Sequence, residues 1–519
     1  MSVAWNVAGL LVNIPGVIDV CIQLGAFITD KISIYRNANV HSNEIAHRFD
    51  NMWRNIVDII SRVKSIEDKL SDDMKVEIFQ TLNRLRDILA DAINTASRAG
   101  VQLGYNPTPG QAILLSTHQK KELERLVCHA QVWHDEMLKR FLVIGFFTKP
   151  GLLSDVTILQ PSPLPRNPRT NSPPPLQFPP QEVILNLRPP TDVFHLKDSN
   201  IFRSISRPYI LVETRYYDRS TMGSLPELET NVYGMVRMLK SADSRLMSIL
   251  KCEGVYPSLS GDNPRFELQY RIPSDLDHPR SLRDLLNDKL GQKQHPLNHR
   301  FRLANHLASS ILYVHSGQFV HKAIKPENIL MMTNAGASPE EQFPHVLGWP
   351  FLVGFDRSRP ASALSGKYGE AKLEDCLYQH PSRWGVTAEE AFTMQHDIYS
   401  LGVVLLEIGL WEPLVWKNEG RGTFEFSQLF NDIFQARDVT IMRTEQKAAK
   451  VKQRLLDLAQ QYLPPTVGQT YANVVVACLK IHEGGMVTNG DFPIPTNDEE
   501  LGTTYIKYVV KKLESLNVV

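Results

Sequence analysis

Residues 321–330 read "HKAIKPENIL", a short polar loop carrying two lysines, a proline and an asparagine between apolar stretches. Upstream, "NHRFRLANHLASSILYVHS" (298–316) repeats apolar residues at Phe301, Ala304, Leu307, Ala308 and Ile311, the spacing of one helix face. Further upstream, "RFELQYRIP" (265–273) alternates Phe266, Leu268, Tyr270 and Ile272, and "YILVETRYYD" (209–218) is a second strand candidate. Between them "NVYGMVRMLK" (231–240) reads as a helix. Downstream come "FLVGFDRSR" (351–359), "YQHP" (378–381), "HDIYSLGVVLLEIGLW" (396–411) and "YANVVVACL" (471–479). Strands first and helices later predict an α+β fold.

In this order the segments resemble the large lobe of a eukaryotic protein kinase, and the resemblance covers residues 183–519. Kinase chemistry requires a proton acceptor, metal-binding carboxylates, a phosphate-cradling loop and a lysine paired to an acid. The resemblance puts Ala323 at the proton-acceptor position, and a methyl group accepts no proton. It puts Gly354 at the metal-aspartate position, with Asp356 two residues on. No G-x-G-x-x-G occurs in 183–260, Arg215 stands where the lysine is expected, and Glu227 and Glu229 precede the expected helix. His321, Phe355 and Asp397 match residues that brace the loop in the family. Arg215, Lys325 and Asn328 are nucleotide-binding candidates; the other reading of Lys325 and Asn328 is hydrogen bonding within the loop. The expectation is a bilobal pseudokinase that is not an enzyme, with no metal and no cofactor beyond weakly held ATP and magnesium. An atypical ATP-binding kinase is the alternative. Lys322 occupies the position of the arginine that meets an activation-loop phosphate, and Ser358, Ser362, Ser365 and Tyr368 are candidate acceptors. A solvated loop is the other reading.

The bulk composition is neutral: Lys+Arg and Asp+Glu both total 56 in 519 residues, which argues against nucleic acid as a partner. Five cysteines lie far apart without a C-x-x-C pair, so neither a zinc site nor a disulfide framework is expected. A reducing, cytoplasmic compartment fits.

Residues 1–147 predict an all-α bundle of four or five helices. The nearly uncharged run 3–28 has Asp19 as its single charge. Apolar stripes follow at 45–70, 78–93 and 120–142. Residues 148–182 predict a linker, since 160–180 hold nine prolines in 21 residues. It reads as a semi-rigid tether or as a docking site for a proline-reading domain.

The wording "AGLLVNIPGVIDVCIQLGAFITDKISIYRN" (8–37), with Trp53 and Ile56 after it, resembles the HeLo domain of fungal incompatibility and prion-signalling proteins. "HKAI" and "LVGFDRSRP" resemble fungal proteins that join such a domain to a degenerate kinase. The architecture is similar to that of mixed-lineage kinase domain-like proteins. The resemblance implies a regulated cell-death or incompatibility effector. A signal from an upstream protein frees the bundle, which oligomerises with copies of itself and moves from cytoplasm to plasma membrane lipid. Leu10, Leu11, Ile14, Val17 and Ile18 are the membrane candidates; a buried core helix is the other reading. Asp19 at the bilayer centre would cost on the order of 3 kcal/mol. A catalytically silent scaffold that binds protein partners is the alternative function.

Overall fold

The computed structural model describes residues 5–7, 10–33, most of 53–98 and, with short gaps, 183–516. The chain divides into two compact units, Met1–Leu153 and Ser154–Val519.

In the first unit, β1 (Trp5–Val7) and β2 (Leu10–Val12) form an antiparallel hairpin ahead of α1 (Ile14–Ser33). This corrects the expectation of an all-helical start: Leu10 and Leu11 stand on a strand. The helix begins where Asn13 Oδ1 accepts the Gly16 N–H at 3.0 Å, a side-chain cap on an otherwise unpartnered donor. Pro15 is tolerated there because a first-turn N–H has no intrahelical acceptor to lose.

Along α1, Ile14, Ile18, Cys21 and Ile28 are buried, spaced as one helix face. Gly25 lies on the same stripe, and a Cβ there would sit 1.8 Å from the Trp53 ring, so the indole needs a glycine beneath it. Helix α2 (Asp72–Arg98) packs on α1 through Ile78, Leu82, Leu85 and Leu89, with Cys21 Sγ 3.5 Å from the Leu82 carbonyl. Each such apolar side chain, once buried, contributes about 1.5–3 kcal/mol. The expected helix at 120–142 and the proline-rich stretch lie outside the described residues. Among the described residues no helix is long and apolar enough to cross a membrane.

The second unit mixes sheet and helix. Strands β3 (Val193–His195), β4 (Phe202–Ser204), β5 (Ile210–Tyr216), β6 (Cys252–Ser258) and β7 (Arg265–Arg271) make one antiparallel sheet in the order β3-β4-β5-β7-β6. Helix α3 (Leu225–Ser241) packs against β6. It starts before the expected point, because Pro226 suits a first turn, so Glu227 and Glu229 lie inside it.

Beyond the sheet come β8 (Leu276–Ser281), α4 (Leu282–Asn287) and α5 (Leu297–Ser316). The short β9 (Phe319–Val320) leads through the 321–328 loop into β10 (Ile329–Asn334) and then β11 (Trp349–Leu352). Strand β12 (Arg359–Pro360) returns to pair with β9. Helix α6 (Met394–Leu410) is buried almost all round, which explains its apolar run Leu401–Leu406 and leaves His396, Asp397 and Glu407 as buried polar groups. Helices α7 (Thr444–Gln461) and α8 (Gln469–Leu479) pack on it. Gly402 permits the approach of α8, since a Cβ there would lie 2.8 Å from that of Cys478. This mixed helix-and-sheet arrangement agrees with a protein-kinase-like α+β fold.

Candidate functional site

The 321–328 loop hangs from Asp397, a fully buried carboxylate in the first turn of α6. Its Oδ2 accepts the His321 N–H at 2.7 Å, and its Oδ1 accepts the Lys322 N–H at 2.9 Å. His315 Nε2, from the end of α5, lies 3.1 Å from Oδ2. Burial opposes ionisation of this carboxyl. The His315 contact and the His321 amide outweigh it and hold the pKa below the usual carboxylate range.

His321 Nδ1 accepts the Ala323 N–H at 3.3 Å, which leaves the ring proton on Nε2, donated to the Val353 carbonyl at 3.0 Å. Burial pushes this imidazole down to about 4 even beside Asp397, so it is neutral in the folded chain. Phe355 meets the ring edge-on at 4.7 Å. The structure thus brings His321, Phe355 and Asp397 together around one loop.

Asn328 is fully buried and donates to the Ala323 carbonyl at 2.8 Å, closing the loop on itself. Its carboxamide lies directly over Gly354. A Cβ at 354 would be 2.3 Å from Asn328 Cγ, and Gly354 has φ +83°. An aspartate at 354 would need both a left-handed backbone and a displaced Asn328. Lys325 Nζ donates to Asp375 Oδ1 at 2.7 Å.

Arg215 on β5 donates to the Ser358 carbonyl at 2.8 Å. Ser358 is buried, with its hydroxyl donating to the His321 carbonyl at 3.2 Å, so a phosphoryl group has no room on it in this state. Ser362, Ser365 and Tyr368 lie outside the described residues. Lys322 has its ammonium 5.7 Å above the Phe392 ring. Burial, then Arg359, Arg383, Arg215 and Arg357, push it down to about 7. Of the membrane candidates, Ile14 and Ile18 are buried core residues and Val17 is partly exposed.

Two parts of the site escaped the sequence reading. The first is Glu213. Strand alternation puts it on the same face of β5 as Arg215, and that shared face was the available signal. Its Oε2 accepts from Gly354 N at 3.2 Å and from the Tyr270 hydroxyl at 3.1 Å, while Oε1 is buried without a hydrogen-bond partner. Burial, then the Asp356 carboxylate, raise its pKa to about 8. Burial also raises Asp356, against the pull of Arg357, Arg215 and Lys325. Ionisation is thus opposed at both carboxyls, Glu213 fully buried and Asp356 half-buried.

The second is Arg283 of α4, which is 1% exposed and joins the loop to the helical core. It donates to Glu327 at 3.0 Å, to Glu407 at 2.9 Å and to the Val415 carbonyl at 2.7 Å, and it also meets the Tyr378 hydroxyl.

The chain belongs to the family described as "Domain of unknown function (DUF7580)", which matches residues 211–517. It is also similar to named kinases. The serine/threonine-protein kinase atg1 of Schizosaccharomyces pombe is 26% identical over 153 residues, 27% of this chain and 16% of that protein. The ovarian-specific serine/threonine-protein kinase Lok of Drosophila melanogaster is 25% identical over 252 residues, 43% of this chain and 49% of that protein. A serine/threonine-protein kinase-like protein of Arabidopsis thaliana is 34% identical over 110 residues, 21% of this chain and 27% of that protein. The chain thus spans at most about half the length of these relatives. The domain is protein-kinase-like. The expectation of a chain without enzymatic activity, drawn from Ala323 and Gly354, is overturned by these matches, because the first two relatives are named serine/threonine-protein kinases.

Proposed function

We propose that the chain is a signal-dependent effector in which the protein-kinase-like domain controls the helical N-terminal unit, and that membrane lipid is the target of that unit once released. The observation that supports this reading is α1: an apolar helix whose one central charge, Asp19, lies exposed beside Lys64 and outside the buried stripe. A segment of this kind is held by packing and suits an interface when that packing opens. The cations around Lys322 fit an incoming phosphate as the releasing signal.

The test is dye release from anionic vesicles by the full-length protein, wild type and Gly25→Val. The valine cannot fit beneath Trp53 and loosens α1. Greater leakage from the variant than from wild type is expected. Equal leakage, or none from either, would turn the reading toward a partner-binding scaffold.

A second reading, phosphoryl transfer to a serine or threonine hydroxyl, follows the names of the relatives. Glu213 and Asp356 offer the oxygen donors that magnesium takes, and the partnerless Oε1 of Glu213 suits a cation. The metal would supply charge neutralisation for the transferred group. Labelled ATP with magnesium or manganese tests it: Glu213→Gln and Asp356→Asn should each abolish transfer by wild type, and transfer indifferent to both would remove the pair from the chemistry.

A further inference from the structure

A second cluster of chemically capable side chains lies behind the loop anchor, with one member, His396, next in sequence to Asp397. His380 precedes the turn Pro381–Arg383, His396 sits in the first turn of α6, and His482 follows α8. Fold topology brings the three together: the rings of His380 and His482 stack at 4.0 Å, and those of His396 and His482 meet edge-on at 4.8 Å. One nitrogen from each ring lies within 4.8 Å of the others. We propose that His380, His396 and His482 form a binding site for a divalent transition metal, with zinc the foremost candidate. The site goes beyond the proposed function and does not depend on it.

Three imidazoles are a borderline donor set, suited to zinc and, among its neighbours, to cobalt, nickel and copper, and unsuited to magnesium or calcium. A tetrahedral centre with bonds of about 2.0–2.1 Å places its nitrogens about 3.3 Å apart, so the farthest pair has to close by roughly 1.5 Å. Two of the rings have hydroxyl groups at Nδ1 that could take its proton. His380 Nδ1 lies 2.9 Å from Ser382 Oγ, and His396 Nδ1 lies 2.9 Å from Thr393 Oγ1. Each of these Nδ1 atoms also accepts a backbone N–H, from Ser382 at 3.3 Å and from Thr393 at 2.9 Å, which puts the ring proton on Nε2, and Ser382 Oγ lies 3.3 Å from His396 Nε2. Loading the site has to move both ring protons to Nδ1 and break the two backbone contacts and the Ser382 hydroxyl contact. His482 Nε2 is buried with no hydrogen-bond partner. Burial keeps all three rings neutral, the form that ligates: it pushes His380 down to about 2, His396 to about 3 and His482 to about 4.

One cation already borders the cluster. The buried Lys452 ammonium lies 3.4 Å from His380 Nε2 and pairs with the carboxylate of Glu483, next in sequence to His482. Its charge opposes a metal at this spot. A metal that displaces it leaves Glu483 or water for the fourth position. The site would tie the "YQHP" segment to α6 and to the turn after α8.

The experiment uses the full-length protein stripped by a chelator, with Co²⁺ as the visible probe and Zn²⁺ as competitor. One equivalent of Co²⁺ with tetrahedral d–d bands and no thiolate charge-transfer band is expected, displaced by Zn²⁺. His482→Ala should weaken Co²⁺ binding at least tenfold, and Lys452→Gln should tighten it several-fold. A featureless spectrum, a thiolate band, or equal affinity in wild type and His482→Ala would overturn the site. Should His482→Ala not fold, Lys452→Gln decides: affinity equal to or below that of wild type overturns the proposal.

Discussion

Asp397 and Glu213, with the half-buried Asp356 near it, are carboxyls of the same domain treated in opposite ways. Asp397 has two backbone N–H donors and His315 around it, and its charge is favoured. Glu213 has two donors on one oxygen, none on the other, and a second carboxyl beside it, so its charge is opposed. The difference shows what each place is for. A carboxylate saturated with donors is finished and holds the 321–328 loop in shape. A carboxyl pair with an open oxygen is stable only when protonated or when a cation arrives.

The harshest way to break this contrast is Asp397→Ala. It strands the His321 and Lys322 amides in a dry interior, and removing one partner from a buried charged network costs about 3–5 kcal/mol. Denaturant unfolding of the full-length protein should show a loss of that size in the kinase-like transition. A loss below about 1 kcal/mol would mean that the loop is held elsewhere, with the Arg283 network the next suspect.

Glu213→Gln sharpens the other half. A pKa raised from the unfolded 4.5 to about 8 means that Glu213 adds stability while protonated. That contribution is complete below about pH 4.5 and is lost as pH rises to about 8. Titration shared with Asp356 spreads that loss over the window. Glutamine stays neutral and still accepts from Tyr270 and Gly354, so the variant should lack this slope and exceed wild type in stability above pH 8. Parallel pH–stability curves for the two proteins would show that Glu213 is ionised throughout, and would remove the contrast with Asp397.

The two carboxyls also differed in how plainly the sequence announced them. Asp397 sits in "HDIYSLG", an unbroken local pattern whose family counterpart has a known place, so its link to His321 was legible. The α+β order and the helix at 298–316 were legible for the same reason, since periodicity is a local signal. Glu213 was passed over because family alignment drew attention to Arg215, and only a three-dimensional partner, Gly354, distinguishes the two positions. Leu10 and Leu11 misled in another way: an apolar run alone does not separate a strand from a helix. The histidine cluster and Arg283 could not be read at all. Their members come from separate elements, and only the fold makes them neighbours.

Asp19 supplies the smallest test, because it is a carboxylate that the protein leaves in water. It pairs with Lys64 at 2.6 Å, but both side chains are about half exposed. Such pairs contribute between about 0 and 1 kcal/mol, since solvent screens the attraction and two long side chains lose freedom. Asp19→Asn should therefore shift stability by less than about 1 kcal/mol, and less again at high salt. Its larger effect should fall on lipid. Removing the one charge from the middle of α1 lowers the barrier to the apolar phase, so Asp19→Asn should raise vesicle leakage at nearly unchanged stability. If leakage stays level while stability drops by several kcal/mol, Asp19 is a structural anchor, and the division between buried and exposed carboxyls would have to be redrawn.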